Sequence, residues 1–185
     1  MSFTTRELIF IALMAALLFV VNFTIGAGII AVTGIPGGSG LVTGISNLLV
    51  ITFVALLIRR FGAIALLYFV YGILALPTDM AGGPPGFVWK IPLLVLASLF
   101  FELCVFLAKH KKIGFILGLP AFTLVGLVTY LFTYWVLGMP ELNKALTFFP
   151  VILVALLVLG YVGMWLGFVL YARLKNKRLI QQITA

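Results

Sequence analysis

In the stretch "ALPTDMAGGPPGFVWKI", residues 75–91, Asp79 and Lys90 enclose Phe87 and Trp89. A carboxylate accepts hydrogen bonds, an ammonium donates them, and aromatic faces supply contact area at low entropic cost. Together they form a recognition set for a small, flat, partly polar molecule rather than an ion. Pro77, Pro84 and Pro85 fix backbone angles, while Gly82, Gly83 and Gly86 allow tight turns, so the stretch suits a preformed rim. Asn143 and Lys144 in "GMPELNKALTF", 138–148, with Tyr130 and Tyr134 before them, are expected to form the opposite wall. The competing reading is that Asp79 starts a turn and Lys90 snorkels to the headgroups.

Other chemistry is poorly supplied. The acidic residues are Glu7, Asp79, Glu102 and Glu141, and the single histidine, His110, sits in a basic segment where solvation is expected. No GxSxG, HExxH, CxxC or Walker A pattern occurs, so neither an enzyme nor a metal site is expected, no cofactor is implied, and ATP cannot be this chain's own fuel. Cys104 has no cysteine to pair with. Glu102 interrupts an apolar run between Phe101 and Leu103. An ionisable group there is costly and marks function by default, while pairing with a basic residue near the membrane boundary is the alternative. Trp135 and Tyr161 fit an interfacial aromatic belt or packing better than a ligand cage.

The elements that must position these residues follow from composition. Hydrophobic residues make up 64% of the 185, charged residues 9%, and the mean hydropathy is +1.32. These values describe an integral membrane protein, read as one transmembrane substrate-binding domain over 1–185. Six apolar runs stand out: Leu8 to about Ile30, about Leu41 to Ile58, Phe61 to Leu76, Ile91 to Ala108, Ile113 to Leu137, and about Phe149 to Tyr171. The third is short and ends at Pro77. The first exceeds the roughly 7–15 residues of a signal-peptide core and is kept as a helix. The reading is therefore an all-α bundle of six transmembrane helices.

Lys and Arg collect on the cytoplasmic side of short loops. With the N-terminus inside, that side holds Arg6, Arg59, Arg60, Lys109, Lys111, Lys112, Arg173, Lys175, Lys177 and Arg178, leaving only Lys90 and Lys144 of the 12 outside. Both termini are then cytoplasmic, and the net charge of +8 is a topology signal rather than a nucleic-acid footprint. The outer segments, 31–40, 75–91 and 138–148, are longer than the inner ones, and the first two are rich in glycine and proline. Irregular backbone near membrane depth must be held by protein or line a cavity, which directs the binding chemistry to the outer face.

Ala12 and Ala16 lie on one face of the first helix, and small residues four apart admit a second helix closely. The same spacing recurs at Gly40/Gly44, Gly114/Gly118 and Gly163/Gly167, where packing within the chain is the simpler reading. The six short-looped helices, the Ala12/Ala16 face and the glycine-rich first outer loop together resemble the substrate-binding S component of energy-coupling factor (ECF) transporters. The resemblance implies a multi-pass protein of a prokaryotic plasma membrane that captures a vitamin or vitamin precursor at its outer face. It also implies docking through Ala12 and Ala16 on a transmembrane T subunit driven by two ATPases. The chain begins Met1-Ser2-Phe3, without the early histidine of the cobalt and nickel branch. "GGPPGFVWKIPLLVLASLFFELCVFLAKH" is similar to S components for the thiamine precursor hydroxymethylpyrimidine, where Glu102 would bind an aminopyrimidine edge, and "GILALPTDMAGG" to biotin S components. The alternatives are a small channel or exporter, which needs polar lining through both membrane halves, and a membrane scaffold.

The orientation is checked with single cysteines replacing Ser2, Ser39 or Thr184 in a Cys104→Ala background. An impermeant thiol reagent added to intact cells should label position 39 alone. Labelling of 2 or 184 with 39 silent reverses the orientation.

Overall fold

The structure is a computed structural model that describes residues 3–33, 39–78, 84–138 and 142–177. All regular structure among the described residues is helical: α1 (Thr5–Thr33), α2 (Ser39–Ile58), α3 (Ala63–Ala75), α4 (Lys90–Leu107), α5 (Lys112–Val136) and α6 (Leu142–Leu174). Four helical stretches are long and apolar enough to cross a membrane: Thr5–Gly26, Lys90–Leu107, Lys112–Val136 and Leu146–Leu174. This is the architecture of an all-helical, multi-pass membrane protein. At 13 residues α3 rises only about 20 Å, less than the ~30 Å of a hydrocarbon core. The apolar stretch Thr43–Ile58 of α2 is likewise short.

Two boundaries differ from expectation. The segment expected as an outer loop up to residue 148 is helical from Leu142, because Pro140 precedes a run of good helix formers and a helix need not stop where the apolar sequence does. At the other end of the bundle α3 starts only at Ala63, after Gly62 has turned the chain at φ +96°, a left-handed angle that glycine adopts without strain. The start of α1 is fixed locally. Glu7 accepts a hydrogen bond from the Thr4 amide at 2.7 Å while its own amide donates to Thr4 Oγ1 at 3.3 Å, a reciprocal capping box.

Particular contacts set the helix directions. Phe10 meets Phe53 and Asn22 meets Asn47, so α1 and α2 are antiparallel. Gly72 packs on Ile91 while Ile64 bonds Glu102, which makes α3 and α4 antiparallel. Gly114 faces Val105 and Gly118 faces Phe101 across α4 and α5, and Phe115 meets Phe168 across α5 and α6. The helices thus alternate up and down, and the basic residues from Arg6 through Lys177, Lys90 and Lys144 apart, share one end. There Arg60 Nε pairs with Glu7 Oε1 at 3.0 Å, tying the start of α1 to the α2–α3 turn.

The centre of the bundle is α2, whose Ile51 and Val54 are completely buried. It packs in parallel on α6, and the glycine pair read as internal packing has that role. A methyl group at Gly163 would run into the Ile45 carbonyl oxygen, and one at Gly167 would lie 2.9 Å from the Leu49 oxygen. Gly114 and Gly118 allow the same closeness between α5 and α4. Between apolar helices in lipid, such van der Waals fit supplies most of the attraction.

Gly163→Ala should therefore lower the thermal midpoint in detergent by an overpacking cost of about 1–3 kcal/mol. Gly126→Ala, where a methyl group meets nothing within 4 Å, should leave it unchanged or raise it. Equal midpoints for the two variants would remove the close α2–α6 approach.

Candidate functional site

Two of the residues singled out for chemistry, Lys90 and Glu102, sit on α4 and are spent on α3. Lys90 is only 1% exposed and does not snorkel outward. Its Nζ donates to the carbonyl oxygens of Ala75, at 3.4 Å, and Thr78. Glu102, 4% exposed, accepts a hydrogen bond from the Ile64 amide at 3.2 Å, and the amides of Gly62, Ala63 and Ala65 also face its carboxylate. A cation thus meets the carbonyl end of α3 and an anion its amide end, the arrangement that complements a helix macrodipole and satisfies orphan backbone groups. The spacing explains why one helix does both. Lys90 and Glu102 are as far apart in sequence as Ala75 and Ala63, roughly 18 Å along antiparallel helices.

Beside α3, in the half of the bundle remote from the basic end, lies a buried polar network that sequence reasoning did not single out. Asn22 of α1 is completely buried. Its Nδ2 donates to Tyr71 Oη at 3.2 Å and Asn47 Oδ1 at 3.4 Å, and its Oδ1 accepts from the Ser46 hydroxyl. Tyr68 Oη donates to Asn47 Oδ1 at 2.9 Å, and Asn47 Nδ2 donates to the Thr43 carbonyl oxygen at 2.8 Å. Three helices therefore converge on one neutral set of amides and hydroxyls. The rings of Phe19 and Phe122 flank it, 6.5 Å from Tyr71 and 5.5 Å from Tyr68. The signal was present in the sequence, since Asn22 and Asn47 interrupt apolar runs just as Glu102 does, and polar groups at such depth are costly unless used.

The rest of the expected site is spread more widely. Phe87 is half-buried in the segment before α4, and Trp89 is 63% exposed, so its ring points away from Lys90's enclosure. Tyr130 and Tyr134 lie one turn apart on α5, hydroxyl bonded to hydroxyl, with ring centroids 4.5 Å apart. Asp79 lies outside the described residues, and so do the side chains of Asn143 and Lys144. Lys90 stands about one turn of α3 beyond Tyr71, whereas Glu102 belongs to the opposite end of α4. Ala15 is completely buried, while Ala12 is exposed and Ala16 half-buried on the outer side of α1. Trp135 and Tyr161 are exposed, as an aromatic belt requires, although the Tyr161 hydroxyl also reaches the Ile116 carbonyl oxygen at 3.3 Å.

His110 is not simply solvated. It is half-buried at the basic end with its ring edge-on to Phe106, and burial followed by the nearby Arg59 charge lowers its pKa. Among the described residues no group of three or more His, Cys, Asp or Glu is placed to hold a metal ion.

No family model, curated protein or solved structure matches the chain.

Lys90→Met keeps most of the length of the side chain but removes the donor to the Ala75 carbonyl that ends α3 and to the Thr78 carbonyl just beyond it. A hydrogen bond to a charged group is worth about 1.5–3 kcal/mol, so the thermal midpoint should fall by roughly 3–12 °C at this chain length. An unchanged midpoint would show that the ammonium does not hold the end of α3.

Proposed function

We propose that the protein captures a small, flat, neutral or weakly polar molecule of the vitamin or vitamin-precursor class at its outer face, as the S component of an ECF-type transporter. In this reading all six helices cross a prokaryotic plasma membrane with both termini cytoplasmic, and the basic end of the bundle faces inward. The observation that carries it is the Asn22, Ser46, Asn47, Tyr68 and Tyr71 network with its aromatic neighbours. Paired neutral donors and acceptors between ring faces suit a planar heterocycle, and they lie in the half of the bundle that topology assigns to the outside. Asn47 and Tyr68, rather than Glu102, stand at the centre of this site. The 75–91 segment joins α3 and α4 at the same end, with Lys90 holding its base.

Two further features support the reading. Ala12 is exposed and Ala16 half-buried, and exposed Ile9, Leu13 and Leu17 surround them on α1, which suits a membrane partner such as a T subunit. The chain also lacks a phosphate-binding loop, so energy would come from two separate ATPase subunits.

Mass spectrometry of small molecules carried through purification should reveal one bound compound. Titrating it against wild type, Asn47→Leu and the Ala12→Trp, Ala16→Trp double variant separates the roles. Asn47→Leu should weaken binding roughly ten- to a hundredfold, the cost of leaving a buried polar partner unsatisfied. The tryptophan pair should abolish uptake in cells while leaving the dissociation constant of the isolated protein unchanged. ATP hydrolysis by the purified chain alone, or equal dissociation constants for wild type and Asn47→Leu, would overturn the proposal.

A further inference from the structure

At the basic end, an open cleft of about 490 Å³ runs between the start of α5 and the end of α6. Ile116, Met164, Trp165 and Phe168 form its apolar floor and walls, and Lys112 and Lys175 stand at its mouth. Both lysines are exposed, and Trp165 is 63% exposed although it belongs to the lining. The volume falls within the roughly 300–1,000 Å³ of small-molecule sites. The cleft is not part of the polar network, which lies in the other half of the bundle.

The charge arrangement selects an occupant. Of the carboxylates in the described residues, Glu7 is paired with Arg60 and Glu102 is turned to the amides that start α3, so neither neutralises this lysine pair. The lysines lie where each helix leaves the apolar layer, the level of lipid phosphates, and the apolar lining descends from them toward the bundle centre at acyl-chain depth. A ligand that fits both halves must carry an anionic head and an aliphatic tail on the same axis as the helices. Basic clefts between transmembrane helices bind anionic phospholipids on these terms.

We propose that the α5–α6 cleft is a seat for one anionic phospholipid, with its phosphate between Lys112 and Lys175 and an acyl chain along Ile116, Trp165 and Phe168. The seat depends on the chain being embedded in a membrane, but not on any transported substrate. Its occupancy would add to the contacts between α5 and α6, which include Phe115 with Phe168, Leu119 with Gly160 and the Tyr161 hydroxyl on the Ile116 carbonyl oxygen.

Trp165 is a built-in reporter. In a Trp89→Phe, Trp135→Phe background it is the only tryptophan of the three left. The protein is reconstituted in phosphatidylcholine vesicles containing a small fraction of brominated phosphatidylglycerol or, in parallel, brominated phosphatidylcholine, and fluorescence quenching is read. Two lysines near an anionic headgroup should enrich phosphatidylglycerol at Trp165 on the order of tenfold over phosphatidylcholine. Lys112→Gln with Lys175→Gln should abolish this preference, and Lys112→Arg with Lys175→Arg should keep it. Lys109→Gln with Lys111→Gln removes the same charge from the same end outside the cleft and should also keep it.

Equal quenching by the two lipids in the wild-type cleft overturns the seat. Equal loss in both glutamine pairs overturns it as well, because general surface attraction would then explain the preference. A parallel protein that retains Trp135 alone tests embedding separately. Quenching of Trp135 with Trp165 silent means another protein surface, such as a second copy, covers the cleft, and the lipid proposal fails alone. If neither tryptophan is quenched, the membrane reading fails with it.

Discussion

The short helix α3 keeps its place in the bundle because α4 meets both of its ends with charged side chains. In an apolar surround, the free amides at a helix start and the free carbonyls at its end cost several kcal/mol each if left unmet. A helix long enough to cross the bilayer brings those groups fully to water or headgroups, whereas α3, at 13 residues, rises only about 20 Å. Lys90 and Glu102 solve this from one neighbouring helix with charges of the correct sign at each end. The pairing also fixes the register of α4 against α3, since a slip of one turn would carry both charges away from the groups they serve.

Once α3 is held, its buried face becomes the wall of something else. Tyr68 and Tyr71 present hydroxyls toward α1 and α2, and Asn22, Ser46 and Asn47 answer them. The same two rings belong to a run of aromatic contacts through Phe122, Phe101 and Phe115 to Phe168 of α6. The polar centre is therefore framed by stiff, well-packed side chains, and groups so framed keep their geometry without a ligand to organise them. Shortening α3 and burying a neutral network beside it are two aspects of one design.

The two ends of the bundle are built for different work. At the basic end the connections are tight, with Arg59, Lys109 and His110 in left-handed conformations, and Glu7 with Arg60 stapling α1 to the turn before α3. At the other end the connecting segments are longer and carry most of the loop glycine and proline.

Much of this was determined by the sequence alone. Hydrophobic run lengths gave six helices, and the shortness of the third was visible because Pro77 ends it. The basic residues fell at alternate turns, as the up-and-down order of the helices requires, and the glycine pairs at 114/118 and 163/167 served internal packing as read. These properties are local or additive along the chain, so composition and spacing carry them. The tertiary structure alone decided where the charges go. Lys90 and Glu102 looked like separate candidates, one for a ligand and one for a ligand or an ion pair, because nothing in their own helix shows that α3 has the matching length beside them. The network was missed for the same reason: Asn22 and Asn47 stand out as polar residues in apolar runs, but only the packing of three helices makes them partners of each other and of Tyr68 and Tyr71. Hydrogen bonds between distant segments depend on relative placement in three dimensions, a quantity that no single run of residues contains.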